Sequence, residues 1–100
     1  MDKQLEQLVG AARQQTLAAF DKAVNEGDRD PAAEAATYQR RRRDYATWLR
    51  MESPAPEARE LAASLLERHG ITLEPELLEE FELAITRMLV ELYEEFLRRA

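Results

Sequence analysis

Cysteine is absent from the chain, which excludes disulfides, thiolate metal sites and a thiol nucleophile. Glycine and proline are scarce, at three and four among 100 residues. So few breakers leave long helices as the natural outcome. Histidine occurs once, at position 69. No apolar run reaches the roughly 18 residues that mark a membrane-spanning helix. The opening residues, Met1 to Gln7, lack the apolar core of a secretory signal. A cytoplasmic setting with no membrane partner is the expectation.

What is present is Ala, Leu, Glu and Arg, with 45% apolar residues and a net charge of −6. The length suits one small domain, 1–100, and the composition suits an all-α fold. The charge is uneven. Residues 1–30 carry four basic and six acidic groups, residues 31–50 five and two, and residues 51–100 five and twelve. An acidic chain does not coat nucleic acid as a whole, but it leaves room for one basic patch in the middle segment.

The stretch from Pro75 to Arg99 organises the rest. It has no internal Gly or Pro and is rich in good helix formers. Leu78, Phe81, Ile85, Met88, Leu89, Leu92 and Phe96 recur at the spacing of one helical face. Leu83, Val90 and Leu97 fall nearly opposite, seven residues apart, where a single-sided surface helix carries polar residues. The helix is therefore expected to be contacted from two sides. The second contact is either another helix of the same chain or a partner. In the latter case Leu83, Val90 and Leu97 form a coiled-coil-like seam for a second copy or a missing domain.

Three more helices precede it. The first spans about 2–26, with Leu5, Leu8, Ala12, Thr16, Ala19, Phe20 and Ala23 on one side. Gly10 weakens it and Gly27 is placed to stop it. The second runs about 31–51, capped by Asp30 with Pro31 in its first position. Its apolar face is poor: Arg41 and Arg42 intrude among Tyr38, Tyr45, Trp48 and Leu49. The third covers about 54–69, with Ser53 as cap and Pro54 as first residue. Gly70 ends it, and Ile71 folds back on Leu65 or Leu66. Short connections between these helices favour a four-helix, antiparallel-leaning bundle. Trp48 and Phe81 are the expected core aromatics.

Chemistry-bearing groups are few. His69 falls in the last turn of the third helix, where histidine bonds carbonyls and suits the helix dipole. Ser64 points about 140° away from His69, so no Ser-His-Asp grouping follows. The glutamates at 79, 80, 82, 91, 94 and 95 lack the Glu-x-x-His spacing of paired-metal bundles and read as a solvated face. No catalytic residue, metal site, cofactor or small-molecule ligand is implied.

The sharpest feature is Arg40-Arg41-Arg42-Arg43, flanked by Tyr38, Tyr45, Trp48 and Arg50. Two readings stand. The arginines bind nucleic-acid phosphates while the aromatics stack, or their stems cover the aromatics and their heads pair with the surplus acids. Four consecutive helical residues point in four directions, so about two of them can reach one phosphate backbone.

From Glu57 to Pro75 the chain reads Glu-Ala-Arg-Glu-Leu-Ala-Ala-Ser-Leu-Leu-Glu-Arg-His-Gly-Ile-Thr-Leu-Glu-Pro, and the long Leu/Glu/Arg helix follows. This stretch, about 55–99, resembles the N-terminal helical region of phage-type tyrosine integrases, which are bacterial site-specific recombinases. In those proteins a helix ending in a His-Gly-apolar-x-Leu turn often precedes a long helix ahead of the DNA-binding and catalytic domains. The resemblance implies a fragment of a longer recombinase with an accessory role in DNA integration: positioning on DNA, or touching neighbouring subunits. The family's catalytic Arg, His and Tyr set has no counterpart here. A helical interaction or dimerisation module with no nucleic-acid role is the alternative.

Overall fold

The computed structural model describes residues 2–25 and 30–99. They form four helices: α1 Lys3–Asn25, α2 Pro31–Arg50, α3 Pro56–Arg68 and α4 Pro75–Arg99. Among the described residues there is no strand. The fold is all-α and bundle-like, as the residue pattern implies. Gly27, expected to end α1, lies outside the described residues.

The helix ends follow local chemistry. Asp2 opens α1: its Oδ1 accepts from the Gln4 N–H at 2.8 Å. Asp30 opens α2, accepting from the Ala32 and Ala33 N–H groups, with Pro31 behind it. Gly70, at φ 65°, ends α3. Its N–H donates to the Glu67 carbonyl at 3.1 Å and that of Ile71 to the Leu66 carbonyl at 2.9 Å. This is the expected Schellman ending. The same motif ends α2 without glycine. Glu52 donates to the Leu49 carbonyl and Ser53 to the Trp48 carbonyl, both at 3.0 Å, and Glu52 sits at φ 56°. A side chain in that left-handed region costs roughly 1–2 kcal/mol. Glu52→Gly is therefore expected to raise stability by about 1 kcal/mol, read as a higher midpoint in urea unfolding. An unchanged or lower midpoint would show that the Glu52 side chain offsets its own strain.

The start of α3 corrects the sequence reading. Ser53 does not cap it and Pro54 is not its first residue. The N-cap is Ala55, at φ −67° and ψ 149°, with Pro56 in the first turn. The reason is Pro56, whose ring drives the preceding residue out of the helical region. Pro54 and Ala55 instead dock as buried, extended chain.

Helix α4 is the hub. Its main stripe is buried: Phe81 and Ile85 at 0% exposure, Leu92 and Phe96 at 1%. Leu5, Leu8 and Ala12 of α1 and Ala58, Ala62, Leu65 and Leu66 of α3 complete that core. On its other flank α4 receives α2, running antiparallel: Tyr38 meets Phe96 and Tyr45 meets Tyr93, while Leu49 shares a groove with Leu83. The long helix is thus contacted from two sides, and here the second contact is α2 of its own chain. Among the described residues, no Cα of α2 comes within 8 Å of one in α1 or α3. Each edge of α2 therefore carries a groove, and on the α1 side Phe20 and Tyr38 bridge it. Trp48, expected in the core, packs against it but is only half-buried, at one of these grooves.

Candidate functional site

The four consecutive arginines divide by direction, as helical geometry requires. Arg41 and Arg42 turn toward α4. Arg41 Nη1 donates to Tyr93 Oη at 3.0 Å, and its guanidinium carbon lies 5.9 Å from the Tyr93 ring centroid. That hydrogen bond raises the guanidinium pKa from its ordinary value, against a smaller opposing effect of burial. Arg42 Nε pairs with Glu94 at 3.3 Å, both side chains 41% exposed. An ion pair so wet contributes at most about 1 kcal/mol. These two arginines fasten a helix whose apolar face is poor.

Arg40 and Arg43 are exposed. Among the described residues neither forms an ion pair. Three residues apart on a helix, they share one face, and Arg50 lies further along the same side. Thr47 between them is occupied: its hydroxyl donates to the Arg43 carbonyl at 2.9 Å and accepts from Arg50 Nη2 at 3.2 Å. Asp44 is also exposed on this side and reduces its net positive charge.

Behind Arg41 lies an aromatic cluster that ties α1, α2 and α4. Phe20 stacks on Phe96 with centroids 4.0 Å apart and planes 5° from parallel. Tyr93 meets Phe96 edge-on at 5.1 Å. Tyr38 leans on Phe20, Tyr93 and Phe96 at 5.6–5.8 Å. These rings floor the α1–α2 groove, a cavity of about 180 Å³ that Arg41 borders. Tyr45 is buried beside them, and its phenol pKa is pushed far up, first by burial and then by the nearby Tyr93 and Glu57. Tyr45 stays neutral throughout the physiological range.

The other expected site residues are half-buried. Val90 packs on the core. Leu83 lines a groove with Leu49 and Glu52, and Leu97 lines one with Gln39, Arg42 and Arg43. The glutamates expected as a solvated face include two that work as fasteners. Glu94 holds Arg42, and Glu95 takes both Arg13 of α1 at 3.0 Å and Arg99 at 2.9 Å. His69 is the exposed C-cap of α3, its N–H donating to the Leu65 carbonyl. Among the described residues no three His, Asp or Glu side chains gather as a metal site. No helix among them is long and apolar enough to cross a membrane.

Sequence reasoning missed Tyr93 and Thr86. Tyr93 bridges the aromatic cluster and Arg41, and a signal existed: it follows Leu89 by four residues and precedes Phe96 by three, on the flank of the apolar stripe. Thr86 carried no signal beyond its place beside Ile85. No protein-family profile, curated protein or solved structure matches the chain.

Proposed function

We propose that this chain is a non-catalytic helical accessory domain that meets DNA through the outward face of α2. The setting is that of the N-terminal region of an integrase-like recombinase, by the resemblance over residues 55–99. The observation that supports DNA contact is the split of the arginine run. Arg41 and Arg42 are used to hold α2 on α4, and Arg40 and Arg43 project together from the same rigid helix. Arginine forks suit phosphate oxygens, and a rigid helix presents them without an ordering cost. The turn His69-Gly70-Ile71-Thr72-Leu73 does a folding job, ending α3 through Gly70. The resemblance therefore bears on the setting, and α2 supplies the contact.

A gel-shift titration with duplex DNA tests this. Arg40→Gln/Arg43→Gln is expected to weaken binding and to flatten the slope of log affinity against log salt by roughly 2, near 0.9 for each phosphate no longer neutralised. Arg42→Gln, which removes only the pair to Glu94, should leave that slope as it was. An unchanged slope in the Arg40→Gln/Arg43→Gln variant would end the DNA reading.

The grooved edges of α2 favour a second reading, a helical protein-interaction module with no nucleic-acid role. A homodimer through Leu83, Val90 and Leu97 has little surface left, because α2 already shields that flank. A tight dimer by light scattering, together with no DNA shift, would put this second reading first.

A further inference from the structure

We propose that the cleft between the end of α2 and the start of α3 is a docking slot for a basic, amphipathic helical segment of a partner protein. This goes beyond the DNA reading and stands independently of it.

The cleft has a volume of about 340 Å³, near the lower end of the 300–1,000 Å³ usual for binding pockets. That is room for one or two inserted side chains rather than a large cofactor. Its apolar walls are Trp48, Met51 and Pro56. Met51 is 56% exposed, one of two large apolar side chains left in solvent among the described residues. Methionine and tryptophan are enriched where partners insert: one adapts its shape, the other offers a large rigid face.

The polar groups set the sign of the occupant. Asp44 borders the cleft from α2 and Glu57 from α3, and no basic residue lines it among those described, although Arg50 donates to the hydroxyl of the lining Thr47. Neither carboxylate forms an ion pair among the described residues. Arg41 feels the charge of Glu57, yet its own hydrogen bond goes to Tyr93. Two acids on opposite walls of an apolar slot match a lysine or arginine side chain. Its stem lies along Met51 and Trp48, and its head is held between Asp44 and Glu57. Leucines of the same segment complete the apolar contact, the helix-in-groove mode.

The slot is also rigid. The Schellman turn at Glu52 fixes the end of α2, and the bond from the Ala55 N–H to Thr86 Oγ1, 3.1 Å, anchors the start of α3. A preformed slot avoids the ordering cost of binding.

Trp48 is the sole tryptophan, so its emission reports on the slot directly. The probe is an amidated peptide repeating Leu-Lys-Lys-Leu, titrated into the intact chain at low salt. A saturable change in Trp48 emission is expected. Asp44→Asn/Glu57→Gln should weaken binding roughly tenfold, about 0.7 kcal/mol for each rim charge. Met51→Ser should weaken it as well with both carboxylates intact. Glu76→Gln/Glu91→Gln, which makes the same change in net charge on the exposed side of α4, should leave it unaltered. Equal weakening by that control would overturn the proposal, showing attraction to the acidic surface at large. Equal binding of a Leu-Glu-Glu-Leu peptide would overturn the charge argument. Emission that changes with protein concentration alone would replace the peptide with a second copy of this chain, and so would overturn it too. Gel-shift results with DNA bear on none of these outcomes.

Discussion

Replacing Phe81 with alanine is expected to cost about 3–5 kcal/mol of folding stability. Phe81 is at 0% exposure in the first half of α4 and belongs to the core that α1, α3 and α4 share. The buried side of α3 carries Ala58 and Ala62, both also at 0%. Those short side chains cannot reach into a hole, so any collapse would have to come from the leucines of the same core, and the cavity term is expected to be substantial. A domain of this size has roughly 5–15 kcal/mol in total, so the loss is a large share of it. At about 4–8 °C per kcal/mol, a circular dichroism melt should drop by well over ten degrees. Phe81→Leu, which keeps most of the volume, should lose much less. A barely shifted melt for the alanine variant would place the weight of the core elsewhere, in the aromatic cluster of Phe20, Tyr38, Tyr93 and Phe96.

How far the residues themselves announced this arrangement depends on the element. Helix α4 was legible because its pattern is redundant: a seven-residue stripe survives any single exception, and the opposite apolar residues called for a second neighbour. The stop at Gly70 was legible because only glycine adopts a left-handed conformation cheaply. The start of α3 was misread because two prolines compete and Pro56 overrules Pro54. Trp48 was legible in part: it packs against the core but stays half-exposed, because a large aromatic at helical spacing suits a core or a groove wall equally well. Its fate was decided by how far α2 stands from α3, a distance that no local pattern encodes. The arginine run was half legible. Helical geometry showed that about two of the four share a direction. Which two was settled by Tyr93 and Glu94, more than fifty positions further along the chain.

Thr86→Val is expected to cost about 1–3 kcal/mol although the side chain keeps its shape. Thr86 is at 0% exposure, the one buried polar residue among those described. Its hydroxyl donates to the Glu82 carbonyl at 2.9 Å and accepts from the Ala55 N–H at 3.1 Å. The first bond is the usual way a helical threonine hides its proton. The second is the one that matters. Ala55 precedes Pro56, is driven into extended backbone, and is itself buried, so its N–H has no helical acceptor and no water. Valine would leave that donor without a partner, and the cost is its desolvation, not lost packing. Thr86→Ser separates the two effects: it keeps the hydroxyl and loses one methyl, about 0.8 kcal/mol of burial. Valine worse than serine in urea unfolding, with faster hydrogen exchange at the Ala55 amide, is the expected result. Valine equal to wild type would mean that the chain at Ala55 relaxes to find another acceptor. The bond also bears on binding, because Pro56 and Glu57 follow Ala55 directly and form one wall of the Trp48 slot. A loosened anchor moves that wall. Thr86→Val should therefore weaken docking of the Leu-Lys-Lys-Leu peptide while leaving DNA contact through Arg40 and Arg43, which do not line the slot, unchanged.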